Sequence, residues 1–288
     1  DEVNRIDDGA APVRLAPTKG IHIVLPGLGL TAGLLVTHPA DGRVMFVLPW
    51  LNRTLVGTTD TFYDDRPDDV AASDDDVDYL LTSTHHYFGQ RFTRADVLAT
   101  LVGLRPLLHR KSKDPSAVSR EFAVFRSKSG LWSIAGGKYT TYRSMAETLV
   151  DKLTGELDIS LRDSPCRTAD HRLIGTPTED WSTFRESELR DLQREVGIEP
   201  PLATHLVDRY GRRARLVLAT NRDSALRTQI VPGELDIHAE LQFQSAYEMA
   251  CCPSDHLLRR TRLGLFHPEL LAADLKWPTA GNCGTLTP

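Results

Sequence analysis

The sequence predicts a chain of the α/β class, α+β in type. A mixed, largely antiparallel sheet with one closing strand–helix unit precedes an all-helical C-terminal domain. Three observations predict this. Short β-branched runs separated by tight turns fill residues 19–63. A strand, a Gly-Gly pair and a helical pattern follow one another over 131–153. Beyond about residue 158, apolar residues recur only at helical spacing. The expected domains are 1–158 and 159–288.

KGIHIVL, GLLVTH, RVMFVLPW and RTLVGTTD read as four strands, with a turn at ADG, residues 40–42. The connections are short, so the strands are expected to run mostly antiparallel. GLGLTAG, residues 27–33, has the look of a dinucleotide-binding loop. A true fingerprint needs a crossover helix next, and only a few residues separate Gly33 from the ADG turn. Pro26 interrupts the run, and the next strand ends in Pro49–Trp50 rather than in an acid for a ribose. A glycine-rich hairpin loop is expected instead. Asp64 to Asp78 is an acidic, solvated stretch in which Ser73 caps a helix, with Val77, Leu80, Leu81 and Thr84 at helical spacing. DVLATLVGLRPLL (96–108) reads as a strand ending at Arg105–Pro106. EFAVF and LWSIA form two more around Ser129–Gly130. Gly136–Gly137 ends the last of them, and a helix from Tyr139 to Leu153 places Tyr142, Met145, Ala146, Leu149 and Leu153 on one face. Helical patterns then occupy 186–196, 203–210, 213–220, 237–249 and 257–263, and GNCGTLTP reads as a loose tail.

The 288 residues carry a net charge of -5, which gives no global basic field for a nucleic acid. The local clusters Arg209, Arg212, Arg213, Arg215 and Arg259, Arg260, Arg262 are expected to be solvated helix faces. Cys166, Cys251, Cys252 and Cys283 form no C-x-x-C pair and have no histidine at zinc spacing, so free thiols and no metal are expected. The N-terminus is polar and acidic, unlike a signal peptide, and Ile21 to Val36 is short for a membrane span. The chain opens without Met in a segment that reads as a connection. A fragment lacking an upstream part is expected, although processing would also remove Met.

SIAGGKYTTYR (133–143) is the strongest local candidate for chemistry. An apolar strand runs into Gly-Gly and then a helix, whose first N–H groups attract negative charge. Thr140, Thr141 and Lys138 add donors. An ordinary turn in which glycine serves only backbone shape would read the same way.

Several segments together, KGIHIVLP, DGRVMFVLPWLNRTLVGTTDT, LVGLRPLL, SREF, GGKYTTYRSMAETLVDKL, CRTADHRLIG and LLRRTRLGL, resemble the FAD-dependent glycerol-3-phosphate dehydrogenase family, including its oxidase relatives. The resemblance runs from about residue 18 to about residue 267. It implies oxidation of sn-glycerol 3-phosphate to dihydroxyacetone phosphate, with FAD as cofactor and quinone or oxygen as electron acceptor. The closing strand–helix unit would be the last βα unit of a FAD-binding domain, and the sheet would bind substrate. Gly136, Gly137, Lys138, Tyr139 and Thr140 would meet the isoalloxazine. Arg105 and Arg120 would hold the phosphate. Thr59 and Asp60 would line the same pocket, or Asp60 would only brace the turn. His22 would take the alcohol proton, with Lys138 serving substrate, flavin or both; a structural histidine is the competing reading.

The family's Rossmann fingerprint for the ADP half of FAD does not occur in these residues. The chain is therefore expected to supply the substrate-side and helical part of the enzyme. Two alternatives remain open: a non-catalytic module binding a phosphate ligand or partner, and a FAD-dependent oxidase of another anionic substrate. The resemblance implies a cytoplasmic protein, peripheral on the inner face of the cytoplasmic membrane. The residues leave its oligomeric state open, a homo-oligomer included.

Overall fold

The computed structural model describes residues 3, 6–7, 13–89, 92–108, 120–157, 165–219 and 224–272. It divides into two compact units, Asp1–Asp170 and His171–Pro288. Cys283 and the GNCGTLTP segment lie outside the described residues.

The first unit is built on β1 (Thr18–Pro26), β2 (Leu34–Thr37), β3 (Val44–Trp50), β4 (Arg53–Gly57), β5 (Thr61–Phe62) and β6 (Ala99–Arg105). The sheet order is β2-β3-β4-β1-β5, with β6 also on β1. Every strand pairing among the described residues is antiparallel. The 27–33 segment is not a hairpin loop. β1 pairs with β4 and β6, and β2 pairs with β3, so the segment crosses the end of two intervening strands. The Leu28 N–H donates to Thr54 Oγ1 at 3.0 Å on the way. No helix follows it, so it has no nucleotide-binding geometry.

Strands β4 and β5 lie along the same side of β1, and the register slips between them. His22 faces Gly57, and Thr18 faces Phe62, so four steps along β1 oppose five along its partner. The extra residue makes Thr58–Asp60 a β-bulge, a device that re-aims side chains. There the Thr59 hydroxyl replaces a ladder acceptor, taking the Ile21 N–H at 3.0 Å.

One face of the sheet is closed by α1 (Asp74–Phe88). Ser73 caps its start, as the sequence predicts, and Asp76 returns the bond to make the cap reciprocal. Ile21, Ile23 and Leu25 of β1, Met45 and Val47 of β3 and Val56 of β4 pack against Val77, Leu80 and Leu81. Each fully buried Ile or Leu here contributes about 1.5–3 kcal/mol. The other face carries Thr18, Gly20 and His22 of β1.

β7 (Phe122–Arg126) and β8 (Trp132–Gly136) form a separate ribbon that leads, through a tight turn at Tyr139–Thr141, into α2 (Tyr142–Glu156). The apolar stripe expected on this helix is only partly covered. Met145, Leu149 and Leu153 are half-buried, whereas Tyr142 and Ala146 are exposed. A two-stranded ribbon offers too little surface to cover a wider stripe.

The second unit is helical: α3 (Trp181–Asp191), α4 (Pro200–Tyr210), α5 (Ala214–Ala219), α6 (His238–Tyr247), α7 (Leu263–Phe266) and α8 (Glu269–Ala272), with wider turns at Leu192–Val196 and Asp255–Arg260. Its core is centred on Leu192, Leu206, Val207, Val217, Ile237 and Phe243. The Arg209–Arg215 cluster is not simply a solvated face. Arg209 pairs with Asp236 and Glu240, Arg213 lies over Phe243 at 4.5 Å, and Arg215 pairs with Glu188 and Glu195. Helical spacing shows which residues share a face, but not the acids that a neighbouring helix brings to it. Among the described residues no helix is long and apolar enough to cross a membrane.

Candidate active site

The open face of the β1 sheet is cleared by glycines. On it, Gly20 faces Gly103, and His22 sits between Gly57 and Leu101. The His22 ring lies over Gly57, where a Cβ would stand 2.6 Å from its Cγ and 2.8 Å from Nε2. Arg105, opposite Thr18, reaches across β1 over Gly20, where a Cβ would stand 2.5 Å from Nη1. Neither side chain could lie flat on the sheet if these positions carried a methyl group.

Arg105 ends on the bulge. Its Nη1 donates to Asp60 Oδ1 at 3.1 Å, and its Nη2 donates to Thr58 Oγ1 at 3.0 Å and to the Thr59 carbonyl at 3.2 Å. Arg120 Nη2 lies 3.5 Å from Asp60 Oδ2. Arg43, next to the ADG turn, donates from Nη1 to the Asp60 carbonyl at 2.7 Å. Three guanidinium groups thus converge on one buried aspartate. They separate two adjoining clefts. One, of about 300 Å³, is lined by Gly20, His22, Thr58 and the Leu101–Arg105 strand. The other, of about 610 Å³, is lined by Arg43, Phe46, Thr58, Asp60 and Arg120 among others.

Burial, followed by the nearby Arg105 charge, holds the His22 imidazole below its ordinary value. The ring is therefore neutral near pH 7. Among the described residues neither of its nitrogens has a hydrogen-bond partner. Burial also lowers Arg105; Asp60 opposes that shift, while Arg120 and Arg43 add to it. A guanidinium still stays charged at neutral pH.

The Gly136–Gly137 turn is tied to the same chain segments. Both glycines have positive φ, 79° and 85°. A Cβ at Gly136 would stand 2.6 Å from the Glu121 carbonyl, which accepts the Gly137 N–H at 3.1 Å. Leu108, three residues past Arg105, packs beside Gly136, and Glu121 follows Arg120 directly. Beyond the turn, no side chain caps Tyr139–Thr141 or the start of α2. The first N–H groups there are suited to an electron-rich acceptor such as the pyrimidine edge of a flavin. Lys138, Tyr139 and Thr140 are exposed and line neither cleft. The structure thus brings His22, Asp60, Arg105 and Arg120 together; Thr59 is buried with its hydroxyl on the Ile21 N–H, so Thr58 and not Thr59 lines the clefts, and the turn is held by the segments that follow Arg105 and Arg120.

Residues 3–143 match the family model described as FAD dependent oxidoreductase. Residues 166–276 match the C-terminal domain of alpha-glycerophosphate oxidase. The chain is 37% identical to the mitochondrial glycerol-3-phosphate dehydrogenase of Mesocricetus auratus, over 96% of this chain and 40% of that protein. It is 33% identical to the aerobic glycerol-3-phosphate dehydrogenase of Staphylococcus aureus, over 91% of this chain and 48% of that one. The crystal structure of the Bacillus halodurans glycerol-3-phosphate dehydrogenase in complex with FAD superposes with a TM-score of 0.79 at 30% identity, covering 94% of this chain and 53% of that one. The chain belongs to the FAD-dependent glycerol-3-phosphate dehydrogenase family. It spans less than half the length of the two curated relatives.

Sequence reasoning missed Arg43, Thr58 and the two glycines, Gly20 and Gly57. Arg43 stands at least 16 residues from every nominated residue, and only the β3–β4–β1 pairing brings it to the bulge. The signal that could have found the glycines is their place within strands, where glycine is disfavoured and often marks a close approach.

A second buried polar cluster lies in the helical unit. Ligand atoms of His205, Asp236 and Glu240 come within 4.8 Å of one another. Arg209 already neutralises both acids, and Glu240 also accepts from Tyr210 Oη at 2.9 Å and the Ile237 N–H at 2.7 Å. This is a satisfied structural network.

Proposed function

We propose that this chain supplies the substrate-side sheet and helical part of an enzyme that oxidises sn-glycerol 3-phosphate to dihydroxyacetone phosphate. The observation that carries the reading is the pairing of a neutral, half-buried imidazole with a guanidinium cluster on one glycine-cleared sheet face. Arg105 and Arg120 bind the phosphate through charge-assisted, forked donors. Holding the phosphate there orients the glycerol backbone along β1 toward His22. An unprotonated ring nitrogen of His22 takes the proton from the secondary hydroxyl as the carbonyl forms. Bound FAD supplies the hydride acceptor. Gly136 to Thr140 would hold the pyrimidine end of its ring, and Lys138, one residue past the glycine pair, would add a cation there. The domain arrangement we favour is a substrate-binding unit ending near residue 158, followed by the helical domain. Electrons would pass on to quinone or oxygen, with the protein peripheral at the cytoplasmic face of a membrane.

The test is anaerobic addition of substrate to the purified, flavin-loaded protein. Glycerol 3-phosphate should bleach the visible flavin absorbance, and glycerol, which lacks the anion, should not. Bleaching by a hydroxycarboxylate but not by glycerol 3-phosphate would assign the site to another anionic substrate. No bleaching by either would leave the alternative of a non-catalytic binding module.

A further inference from the structure

We infer that Asp60 sets the charge selectivity of this anion site, penalising ligands that carry more negative charge than a phosphate monoester. The inference rests on the reading that Arg105 and Arg120 hold the substrate's phosphate. Asp60 is almost fully buried, its side chain 5% exposed, in the middle of the three guanidinium groups. One carboxylate oxygen faces Arg105 at 3.1 Å and the other faces Arg120 at 3.5 Å. The bulge fixes the backbone, and Arg43 holds the Asp60 carbonyl. Asp60 cannot swing away when an anion arrives, because leaving would strand a buried carboxylate without its partners.

An anion bound to the same two arginines therefore sits close to a fixed negative charge. Repulsion grows with the ligand's own charge, while the contacts available from the arginines do not. A dianionic phosphate monoester is tolerated, and a phosphate that also bears a carboxylate is disfavoured. Asp41 is the other carboxylate lining the cleft of Asp60 and Arg120, 3.9 Å from Arg43 Nε, but it is 43% exposed and tied to the Tyr79 hydroxyl, so solvent weakens its influence. Asp60 consequently acts on the ligand through charge and through the arginines it positions, without touching the substrate hydroxyls.

The experiment is a calorimetric titration of the chain with glycerol 3-phosphate and, separately, with 3-phosphoglycerate. Wild type should prefer glycerol 3-phosphate. Asp60→Asn keeps an acceptor for Arg105 and removes the charge; it should narrow the preference by about tenfold, as one unit charge at about 6 Å in a half-solvated site requires. Arg43→Met should widen the preference, because it removes a positive charge from the same cleft. Thermal melts of both variants check that they fold. An unchanged ratio in Asp60→Asn, or a shift in the same direction for both variants, overturns the role of Asp60. Loss of glycerol 3-phosphate binding in Asp60→Asn with inorganic phosphate binding retained also overturns it, since that would mark direct contact with the hydroxyls. A wild-type chain that binds neither phosphate ester removes the anion site itself, and with it the reading on which the inference rests.

Discussion

Replacing Gly20 by alanine puts a methyl group where the Arg105 guanidinium now lies. The new Cβ would stand 2.5 Å from Nη1 and 2.6 Å from Cζ. Non-bonded carbon and nitrogen settle at roughly 3.5 Å, so the guanidinium must withdraw by about 1 Å. Its bonds to Asp60, Thr58 and Thr59 measure 3.0 to 3.2 Å, and none survives such a shift. Gly20 lies within β1, and alanine suits strand backbone, so the side-chain collision decides the outcome. Arg105 is a flexible chain that can swing into solvent, and Arg120 stays beside the buried Asp60 carboxylate that loses it, so stability should fall by about 1–3 kcal/mol. Anion binding should fall as well. Losing one forked, charge-assisted contact is worth about 1.5–3 kcal/mol, or roughly 10- to 100-fold in affinity for glycerol 3-phosphate. Calorimetric titration and urea denaturation of the same preparation separate the two effects. Wild-type affinity in Gly20→Ala would refute the reasoning, as would a stability loss above about 3 kcal/mol that explains the binding defect by unfolding. In an Arg105→Ala background the substitution should have no further effect on binding.

Gly57→Ala should collide with His22 in the same way and cost about 1–3 kcal/mol by overpacking; in a denaturation-based double-mutant cycle, His22→Ala should relieve most of that cost, and additive effects would exclude the contact. Burial opposes ionisation of Asp76, but its bonds with Lys19 and Ser73 outweigh this and hold its carboxyl below the usual range. That stabilisation is present above about pH 4, the unfolded value, and is lost as pH falls through the lower folded value. Lys19→Met should therefore cost about 3 kcal/mol at pH 7 and progressively less in acid, read from urea midpoints across pH. Arg209→Met leaves Asp236 and Glu240 buried without their guanidinium and should destabilise the helical unit by about 3–5 kcal/mol, visible as loss of its far-ultraviolet signal at lower denaturant.

The local elements were legible because their signals are local. Alternating β-branched residues mark β1, β3 and β4, Ser73 marks the start of α1, and the glycine pair at 136–137 marks the exit from β8. Strand order was not legible, since it depends on which distant runs pair; the 27–33 loop was read as a hairpin for that reason. Candidate site residues that sit on recognisable motifs, such as Arg105, Arg120 and His22, could be nominated from sequence. Arg43 and Thr58 could not, because a one-residue slip in register between β4 and β5 creates their meeting point. The apolar face of α2 was read too broadly, because periodicity shows which residues align and not what covers them.

The most direct test of the account is a histidine NMR titration of His22, assigned by comparison with His22→Gln. The folded ring should titrate below the ordinary value of about 6.5, since burial and then Arg105 disfavour its charged form. Its contribution to stability should accordingly be present above that pH and lost as pH falls through the folded value. At pH 7 its resonances should move on addition of glycerol 3-phosphate to wild type and stay still in Arg105→Ala. A ring that titrates normally, or that ignores the ligand while the chain binds it, would contradict the claim that the phosphate clamp and the proton acceptor share one sheet face.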